Sequence, residues 1–287
     1  MNAILEVDKL SKSYKGSEFQ LKDVSLSIPH GAIMGFVGEN GAGKSTTIGC
    51  ILNTLVKDSG EVKIFGREMT DDSTDIRDKI GVVYDSNAFP LHLTPAKISS
   101  AMRHIFSKWD DDLFKKYLSK FKLSENQRIK GFSRGMTMKL GVAVALSHHP
   151  QLLVLDEATS GLDPIVRDDI LDVFMDFVQD ENNSILLSSH ITSDLEKVAD
   201  YITFIHDGSI VFSEAKDNLI YNYGVMRCKA SQFEQVDKED ILAYRKRDYQ
   251  IDVLVSDKQT AAKKYQGVVI DSINIEEIML MLVKGEK

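Results

Sequence analysis

Apolar and polar residues alternate in short stretches through the first third of the chain. Such alternation is typical of β-strands with one buried face, because successive side chains of a strand point to opposite sides. Strands are predicted at residues 4–8, 21–28, 33–37, 61–66 and 80–84. One helix, expected at residues 46–55, follows the third of these strands.

The pattern changes to a helical period after Thr94. Pro95 stands where a helix can begin, with Thr94 as its N-cap, and Ile98, Met102, Ile105 and Phe106 then recur at helical spacing. A second helix is predicted at 113–121, after three aspartates at 110–112 that suit a helix N-terminus. The region from about 90 to 150 is therefore predicted to be a helical insertion.

Strands return after the insertion. Two apolar runs, 152–155 and 184–188, enclose a predicted helix at 165–179 and so form a βαβ unit, which implies a parallel sheet. The last strand pair, 202–205 and 209–212, is joined through an Asp-Gly dipeptide that favours a tight hairpin.

The final segment is less regular, with one predicted strand at 251–255. A capping box formed by Asn274 and Glu277 precedes an apolar helix at 275–283. We expect an α/β protein with a core built on a parallel sheet, an antiparallel β subdomain and the helical insertion, all within residues 1–215. Residues 216–287 are predicted to form a small accessory subdomain that is dispensable for the chemistry.

The chain is acidic. Its 287 residues include 35 Lys and Arg against 43 Asp and Glu, a formal net charge of −8, so no nucleic-acid partner is expected. No apolar run approaches the roughly 20 residues that span a membrane. Two cysteines, Cys50 and Cys228, form no disulfide framework and favour a reducing, cytosolic compartment. A role at a membrane would therefore need membrane segments from another chain.

The main candidate for chemistry is a glycine-rich loop, residues 38–46, with the P-loop spacing between a predicted strand and a predicted helix. Its backbone N–H groups and the helix N-terminus suit phosphate oxygens, Lys44 suits the β- and γ-phosphates, and the Ser45 hydroxyl suits Mg²⁺. The residues predicted to contact ATP here are Gly38, Asn40, Gly41, Gly43, Lys44, Ser45 and Thr46. The alternative is a glycine-rich turn that binds nothing, which the flanking strand and helix disfavour. The core with the parallel sheet is therefore predicted to be a P-loop NTPase core.

Two carboxylates end the predicted strand at 152–155. Ligands of parallel sheets bind at the carboxyl ends of the strands, so Asp156 is predicted to hold Mg²⁺, directly or through water. Glu157 is predicted to activate a water for attack on the γ-phosphate. The alternative, a strand ending in solvated acids, loses weight because the P-loop precedes it.

Four further motifs follow in a specific order. Residues 132–136 (Phe-Ser-Arg-Gly-Met), 160–163 (Ser-Gly-Leu-Asp), His190 and Tyr14 stand where a signature sequence, a D-loop, a switch histidine and an A-loop aromatic stand in one family. With the P-loop and the two acids, they make residues 1–215 resemble the ATP-binding subunits of ABC transporters.

The resemblance implies a role for each residue. Ser133 and Gly135 would bind the γ-phosphate of a nucleotide on an opposite subunit, Asp163 would contact that subunit's P-loop, Tyr14 would stack on adenine, and His190 would bridge the γ-phosphate and the catalytic acid. Structural alternatives stay open for four of them. Ser133 and Asp163 also suit helix N-caps, Tyr14 a surface turn, and His190 the end of a strand.

Three positions depart from the family pattern. Asp85 stands where the Q-loop glutamine is expected, Arg134 replaces the first signature glycine, and Met136 replaces the signature glutamine. An aspartate still offers oxygen to Mg²⁺, so Asp85 is predicted as a third metal ligand beside Ser45 and Asp156. Its charge would make hydrolysis depend on the position of the membrane partner.

The resemblance implies an ATPase that closes on ATP with a second, identical or similar chain and drives a separate transmembrane subunit from the cytoplasmic face of the membrane. It extends to ABC-2 type exporters of Gram-positive bacteria, with phenol-soluble modulins as one candidate cargo. The partner's cytoplasmic helix would dock near the start of the insertion, on side chains that include Phe89, Leu91, Leu93, Ile98 and Met102. The alternatives are a soluble ABC-type ATPase and an ATP-gated regulator not coupled to transport.

Overall fold

The computed structural model describes residues 3–16, 18–85 and 89–286. Its strands are, in chain order, β1 (Ala3–Ser13), β2 (Gln20–Pro29), β3 (Ile33–Val37), β4 (Ser59–Ile64), β5 (Arg67–Glu68), β6 (Ile80–Tyr84), β7 (Leu152–Asp156), β8 (Ser184–Ser189), β9 (Tyr201–His206), β10 (Ser209–Ala215), β11 (Gly224–Cys228), β12 (Ala243–Lys246), β13 (Ile251–Val255) and β14 (Val269–Ser272). Its α-helices are α1 (Lys44–Ile51), α2 (Thr74–Arg77), α3 (Pro95–Met102), α4 (Asp111–Lys120), α5 (Arg134–Leu146), α6 (Pro164–Phe177), α7 (Thr192–Val198), α8 (Lys216–Asn222), α9 (Ala230–Phe233), α10 (Lys258–Lys264) and α11 (Ile275–Lys284). Within the described ranges, no helix combines the length and the apolar character that crossing a membrane requires.

A six-stranded sheet forms the centre of the fold, with strand order β10-β9-β3-β8-β7-β6. Five of its strands run parallel, and only β10, at one edge, is antiparallel to its neighbour. β3, β7 and β8 are buried along their whole length, which agrees with the apolar residues at their centres. The parallel strands bring the segments that follow β3, β6, β7 and β8 to one end of the sheet.

The predicted antiparallel subdomain is a four-stranded sheet with the order β2-β1-β4-β5. Residues alternate between buried and exposed along β2, as the sequence pattern predicts. The buried face of this sheet packs with α1 in one hydrophobic cluster, to which Leu5, Leu26 and Ile48 contribute. The subdomain therefore supports the segment that carries the glycine-rich loop.

The helical insertion contains α3, α4 and α5, and side-chain caps fix where these helices begin. Thr94, Asp110 and Ser133 each accept a hydrogen bond from the backbone N–H three residues ahead. α3 ends at Met102, before the periodic residues Ile105 and Phe106 that the sequence pattern placed in it. The predicted first helix also differs, since α1 covers 44–51 rather than 46–55.

The predicted hairpin joins β9 and β10. His206 pairs with Ser209, and the two residues between them, Asp207 and Gly208, have φ angles of 45° and 75°. Positive φ at both central positions is the geometry of a type I′ turn, which matches the right-handed twist of the strands. Gly208 also lies against β2, where an added Cβ would be 1.9 Å from the carbonyl oxygen of Gln20.

The last 71 described residues build a second small sheet, β12-β13-β11-β14, flanked by helices. The predicted strand at 251–255 and the capping box at Asn274 and Glu277 are both present, but the other three strands were not predicted. Its apolar side chains Leu219, Ile275 and Ile278 belong to the same hydrophobic cluster as the central sheet. The Glu196 carboxylate on α7 also accepts a hydrogen bond of 2.9 Å from the Ile275 N–H.

Candidate functional site

The glycine-rich loop connects β3 to α1 at the carboxyl end of the central sheet. Gly41 and Gly43 have φ angles of 86° and 115°, a region of backbone conformation that disfavours L side chains. An added Cβ at Gly43 would be 2.5 Å from Leu21 Cδ2, so that glycine is required by space as well as by conformation. The loop borders a cleft of ≈ 370 Å³ lined by Phe19, Glu39, Asn40, Gly41, Gly43, Lys44, Ser45, Thr46 and Glu157.

Lys44 is buried at the base of this cleft. Its ammonium donates hydrogen bonds to the carbonyl oxygens of Gly38, at 2.7 Å, and Glu39, at 3.2 Å. The same nitrogen lies 3.1 Å from Oε1 of Glu157. That contact is ionic without the angle of a hydrogen bond, so the buried Oε1 atom has no hydrogen-bond donor. The Lys44 ammonium and the Glu157 Oε1 atom, which accepts no hydrogen bond, thus lie at the cleft where phosphate and water are expected.

Glu157 is held from several sides. Its backbone has φ of 55°, unusual for a non-glycine residue, and its N–H donates to the carbonyl oxygen and the Oγ of Ser188 at 3.2 and 3.1 Å. Its Oε2 atom lies 2.6 Å from Nδ1 of His190, the residue that follows β8. The predicted catalytic acid and the predicted switch histidine are therefore in direct contact.

Ser188 is a site residue that the sequence analysis missed. Its hydroxyl donates a hydrogen bond of 2.6 Å to Oδ1 of Asp156 and accepts one from the Glu157 N–H. Asp156 and Ser188 are register partners on β7 and β8, so pairing these two strands would have found the contact. Beside them, burial and then the Asp156 carboxylate raise the pKa of the Tyr84 hydroxyl, which keeps it neutral.

The aromatic side chain that lines the cleft is Phe19, which the sequence analysis also missed. Its ring packs over the loop, since an added Cβ at Gly43 would be 3.1 Å from Phe19 Cζ. Tyr14 is 38 % exposed and has the Lys12 ammonium 5.4 Å from its ring centroid. Its role against adenine stays a prediction.

The signature and D-loop residues stand at the starts of two helices. Ser133 Oγ accepts from the Met136 N–H at 3.2 Å, and Asp163 Oδ1 accepts from the Val166 N–H at 3.1 Å. Both N-cap interpretations are therefore confirmed. Gly135 packs α5 on α6, since an added Cβ would lie 3.1 Å from Val166 Cγ1. The phosphate and subunit contacts of these residues stay predictions.

Asp85, at the Q-loop position, forms an ion pair with Arg134, at the first signature-glycine position. Two of the three departures from the family pattern thus contact each other. The structure brings Asp85 to the same end of the sheet as Asp156, since Tyr84 and Asp156 are register partners. Its role as a metal ligand stays a prediction.

A buried ion pair joins the D-loop helix to the helix after His190. Arg167 on α6 donates to the Leu162 carbonyl oxygen at 3.3 Å and has its Nη1 3.5 Å from Oδ1 of Asp194 on α7. Asp194 is 4 % exposed, and its Oδ2 atom has no hydrogen-bond partner. The sequence analysis named neither residue, and both sit inside otherwise ordinary amphipathic helices.

A second, largely apolar cavity of ≈ 480 Å³ lies beside the end of β6. Phe89 and Met102, two of the five predicted docking residues, line it together with Asp85 and Arg134. Of the other three, Ile98 is buried in the core, Leu93 is partly buried against it, and Leu91 is 52 % exposed.

Comparison with known proteins agrees with this geometry. Residues 21–160 match the family model of the ABC transporter. The bacitracin transport ATP-binding protein BcrA of Bacillus licheniformis is 33% identical over 76% of this chain and 72% of its own length. The lantibiotic transport ATP-binding protein SrtF of Streptococcus pyogenes is 34% identical over 75% of this chain and 92% of its own length.

Solved structures show the same fold. The structure of an ATP-binding subunit of an ABC transporter is 26% identical, covers 75% of this chain and 91% of its own, and superposes with a TM-score of 0.68. A dimeric ATP-binding cassette in a post-hydrolysis state, bound to ADP and phosphate, is 22% identical over 74% of this chain and 98% of its own, with a TM-score of 0.66. The chain belongs to the ATP-binding proteins of ABC transporters, the subunits that bind and hydrolyse ATP to drive transport.

Proposed function

We propose that this chain powers the export of peptide-like antimicrobial molecules through a separate transmembrane subunit, which holds it at the cytoplasmic face of the membrane. The observation that carries this proposal is that Glu157 contacts both Lys44 and His190. These contacts bring together the cation, the base and the histidine that ATP hydrolysis needs. The cargo class rests on relatives named for bacitracin and lantibiotic transport. An ABC-2 type exporter of a Gram-positive bacterium fits this class, with phenol-soluble modulins as one candidate cargo.

The chemistry follows from the residues around the cleft. Glu157 is the general base, taking a proton from the attacking water through an oxygen that has no other hydrogen-bond donor. His190 holds the second carboxylate oxygen and so fixes the direction of the first. Lys44 binds the β- and γ-phosphates. Its ammonium must therefore give up its contact with Glu157 and contact phosphate oxygens instead.

Mg²⁺ fits the donor set at the end of β7. Within the described ranges, no group of three or more His, Cys, Asp or Glu side chains could hold a metal ion alone. Mg²⁺ is commonly held by one or two protein oxygens together with substrate phosphates and water. The Ser45 hydroxyl and the Asp156 carboxylate would supply those oxygens, and the ion would neutralise charge that develops on the phosphates. Asp85, the third predicted ligand, has one carboxylate oxygen engaged by Arg134.

A second ATPase subunit, identical or similar, would complete the nucleotide site. Ser133 and Asp163 are exposed at the starts of α5 and α6, where the helix dipoles favour anions. Ile165, beside them, is a large apolar side chain with 76 % of its surface exposed. These features suit a surface that closes on the partner's nucleotide, as the predicted roles of Ser133, Gly135 and Asp163 require.

The cavity of ≈ 480 Å³ is the proposed docking site for the membrane subunit. It is lined mainly by apolar and aromatic side chains, with Asp85 and Arg134 as its charged lining residues. An amphipathic cytoplasmic helix that inserts apolar residues would fit such a cavity.

Reconstitution tests this function. The chain would be purified alone and together with the membrane protein encoded beside it, and ATP turnover would be measured in vesicles with and without bacitracin or a lantibiotic. We expect the membrane subunit to raise turnover and the cargo to raise it further. Equal turnover with and without the membrane subunit would indicate a soluble ATPase, and ATP binding without turnover would indicate an ATP-gated regulator.

A further inference from the structure

Arg134 connects three segments of the site. It is the first residue of α5, and its Nη2 atom donates to Oδ1 of Asp85, which directly follows β6. Its guanidinium also lies against Gly161 in the D-loop segment, where an added Cβ would be 2.7 Å from Nη1 and 2.9 Å from Cζ. Gly161 has φ of 64°, a backbone conformation that favours glycine, and a side chain there would displace the Arg134 guanidinium.

The position of Arg134 is unfavourable without Asp85. A cation at a helix N-terminus opposes the helix dipole, whose positive end lies there. Asp85 offsets that charge from a segment 49 residues away in the chain. Both side chains are about half exposed, so the pair adds little to global stability and its effect is on position.

Both members of the pair also line the apolar cavity next to β6, together with Phe132, which precedes the signature serine. An occupant of that cavity would therefore contact the same pair whose guanidinium lies against Gly161 in the D-loop segment.

We propose that Asp85 and Arg134 form a charge latch that positions the first turn of α5 and the 160–163 segment, and that relays occupancy of the cavity to them. Arg134 is a positioning residue in this scheme, and Asp85 acts through Arg134. The inference rests on the proposed function, because the relay matters only if the cavity receives the membrane subunit.

Amide hydrogen exchange tests the latch in the full chain without any partner. The informative amides are those of Thr137 and Ser160, which donate to the carbonyl oxygens of Ser133 and Glu157 at 2.9 and 3.1 Å. Asp85→Asn and Arg134→Gln should each make both amides exchange about threefold faster or more, because either variant releases the same contact. Lys120→Gln, which breaks another exposed ion pair, with Asp176 between α4 and α6, is the matched control and should leave both amides unchanged.

A double-mutant cycle on ATP turnover tests the relay. Each single variant should reduce stimulation by the membrane subunit about threefold to tenfold, and the double variant should lose no more than the stronger single one. Gly161→Ala would also displace the Arg134 guanidinium, so it should reduce stimulation more in the wild-type chain than in the Arg134→Gln background. Backbone strain at residue 161 is present in both backgrounds, so an equal loss in the two would mean that strain alone is responsible.

Two results would overturn the latch. Unchanged exchange at Thr137 and Ser160 would remove the positioning role. Losses that multiply in the double variant would mean that Asp85 and Arg134 act separately, for example on metal and on phosphate. A wild-type chain whose turnover ignores the membrane subunit would instead defeat the proposed function, and exchange would still decide the latch.

Discussion

The ammonium of Lys44 lies 3.1 Å from the carboxylate of Glu157, so the expected phosphate-binding cation and the expected general base are paired. ATP binding must replace this contact by one between Lys44 and phosphate. Glu157 keeps its second link, the 2.6 Å contact with His190, during that exchange.

Glu157→Gln is expected to reduce ATP turnover by at least about a hundredfold, because an amide cannot take the proton of the attacking water. ATP binding should remain or become tighter, since the neutral side chain no longer competes with phosphate for Lys44. Turnover and equilibrium binding of a fluorescent ATP analogue would be measured side by side. Glu61→Gln, on the exposed face of β4, is the control. Wild-type turnover in the Glu157 variant would mean that another group is the base.

Lys44→Ala is expected to weaken ATP binding by about tenfold to a hundredfold, because it removes charge-assisted hydrogen bonds to phosphate. The loss should appear in the dissociation constant, measured by titration calorimetry. Lys57→Ala, which removes an exposed lysine paired with Glu68, should leave the constant unchanged. An unaltered affinity in the Lys44 variant would contradict phosphate binding by the loop.

His190→Ala is expected to reduce turnover by about tenfold to a hundredfold through loss of orientation of Glu157. If His190 acts only by orienting Glu157, removing His190 should have no further effect on turnover once Glu157 has been replaced. The double variant His190→Ala with Glu157→Gln should therefore turn over no more slowly than Glu157→Gln alone. A further drop in the double variant, measured in single-turnover assays, would show that His190 contacts the reacting phosphate itself.

Ile278→Ala is expected to lower the free energy of unfolding by about 2–4 kcal/mol, because this buried side chain belongs to the cluster shared by α11 and the central sheet. Leu280→Ala, on the more exposed side of the same helix, should cost much less. Urea unfolding would be followed by a probe in each part of the chain. The sequence analysis expected residues 216–287 to be dispensable, and one transition shared by both probes would contradict that expectation. Two transitions, with only residues 216–287 destabilised by Ile278→Ala, would support it.

The parts of the fold that could be predicted from sequence are those whose cause is local. Alternation along β2, the Asp-Gly turn between β9 and β10, and the N-cap of α3 each depend on a few neighbouring residues. Of the small tail sheet only β13 was predicted. β14, for example, is four residues long and mostly exposed, so it carries no clear pattern.

The same division holds in the site. The loop around Lys44 and the pair Asp156 and Glu157 have a fixed local spacing and were predicted. Ser188 was missed because its role depends on the register of β8 against β7. The pairing of Asp85 with Arg134 depends on how the whole insertion folds back on β6, which no local pattern encodes.

Asp252 gives a prediction about pH. Burial alone would raise the pKa of this carboxyl, but hydrogen bonds from Arg227 and Arg247 outweigh burial and lower the pKa below its ordinary value. Asp252 is 1 % exposed on β13 and lies 2.8 Å from Arg227 Nη1 and 2.5 Å from Arg247 Nε. Gln250 also donates a hydrogen bond of 2.8 Å to it.

The direction of the pH dependence of stability follows from the lowered pKa of Asp252. The folded state holds the charged carboxylate more strongly than the unfolded state does, so its contribution to stability is fully present above the unfolded pKa of about 4. That contribution is lost as the pH falls from there through the lower folded pKa. Asp252→Asn should therefore cost about 1–3 kcal/mol at pH 7, a figure reduced because both arginines are partly exposed. The difference between variant and wild type should shrink as the pH falls below about 4. Thermal unfolding at pH 7, 5, 4 and 3 measures it, and a difference that stays constant across this series would show that Asp252 contributes by packing rather than by charge.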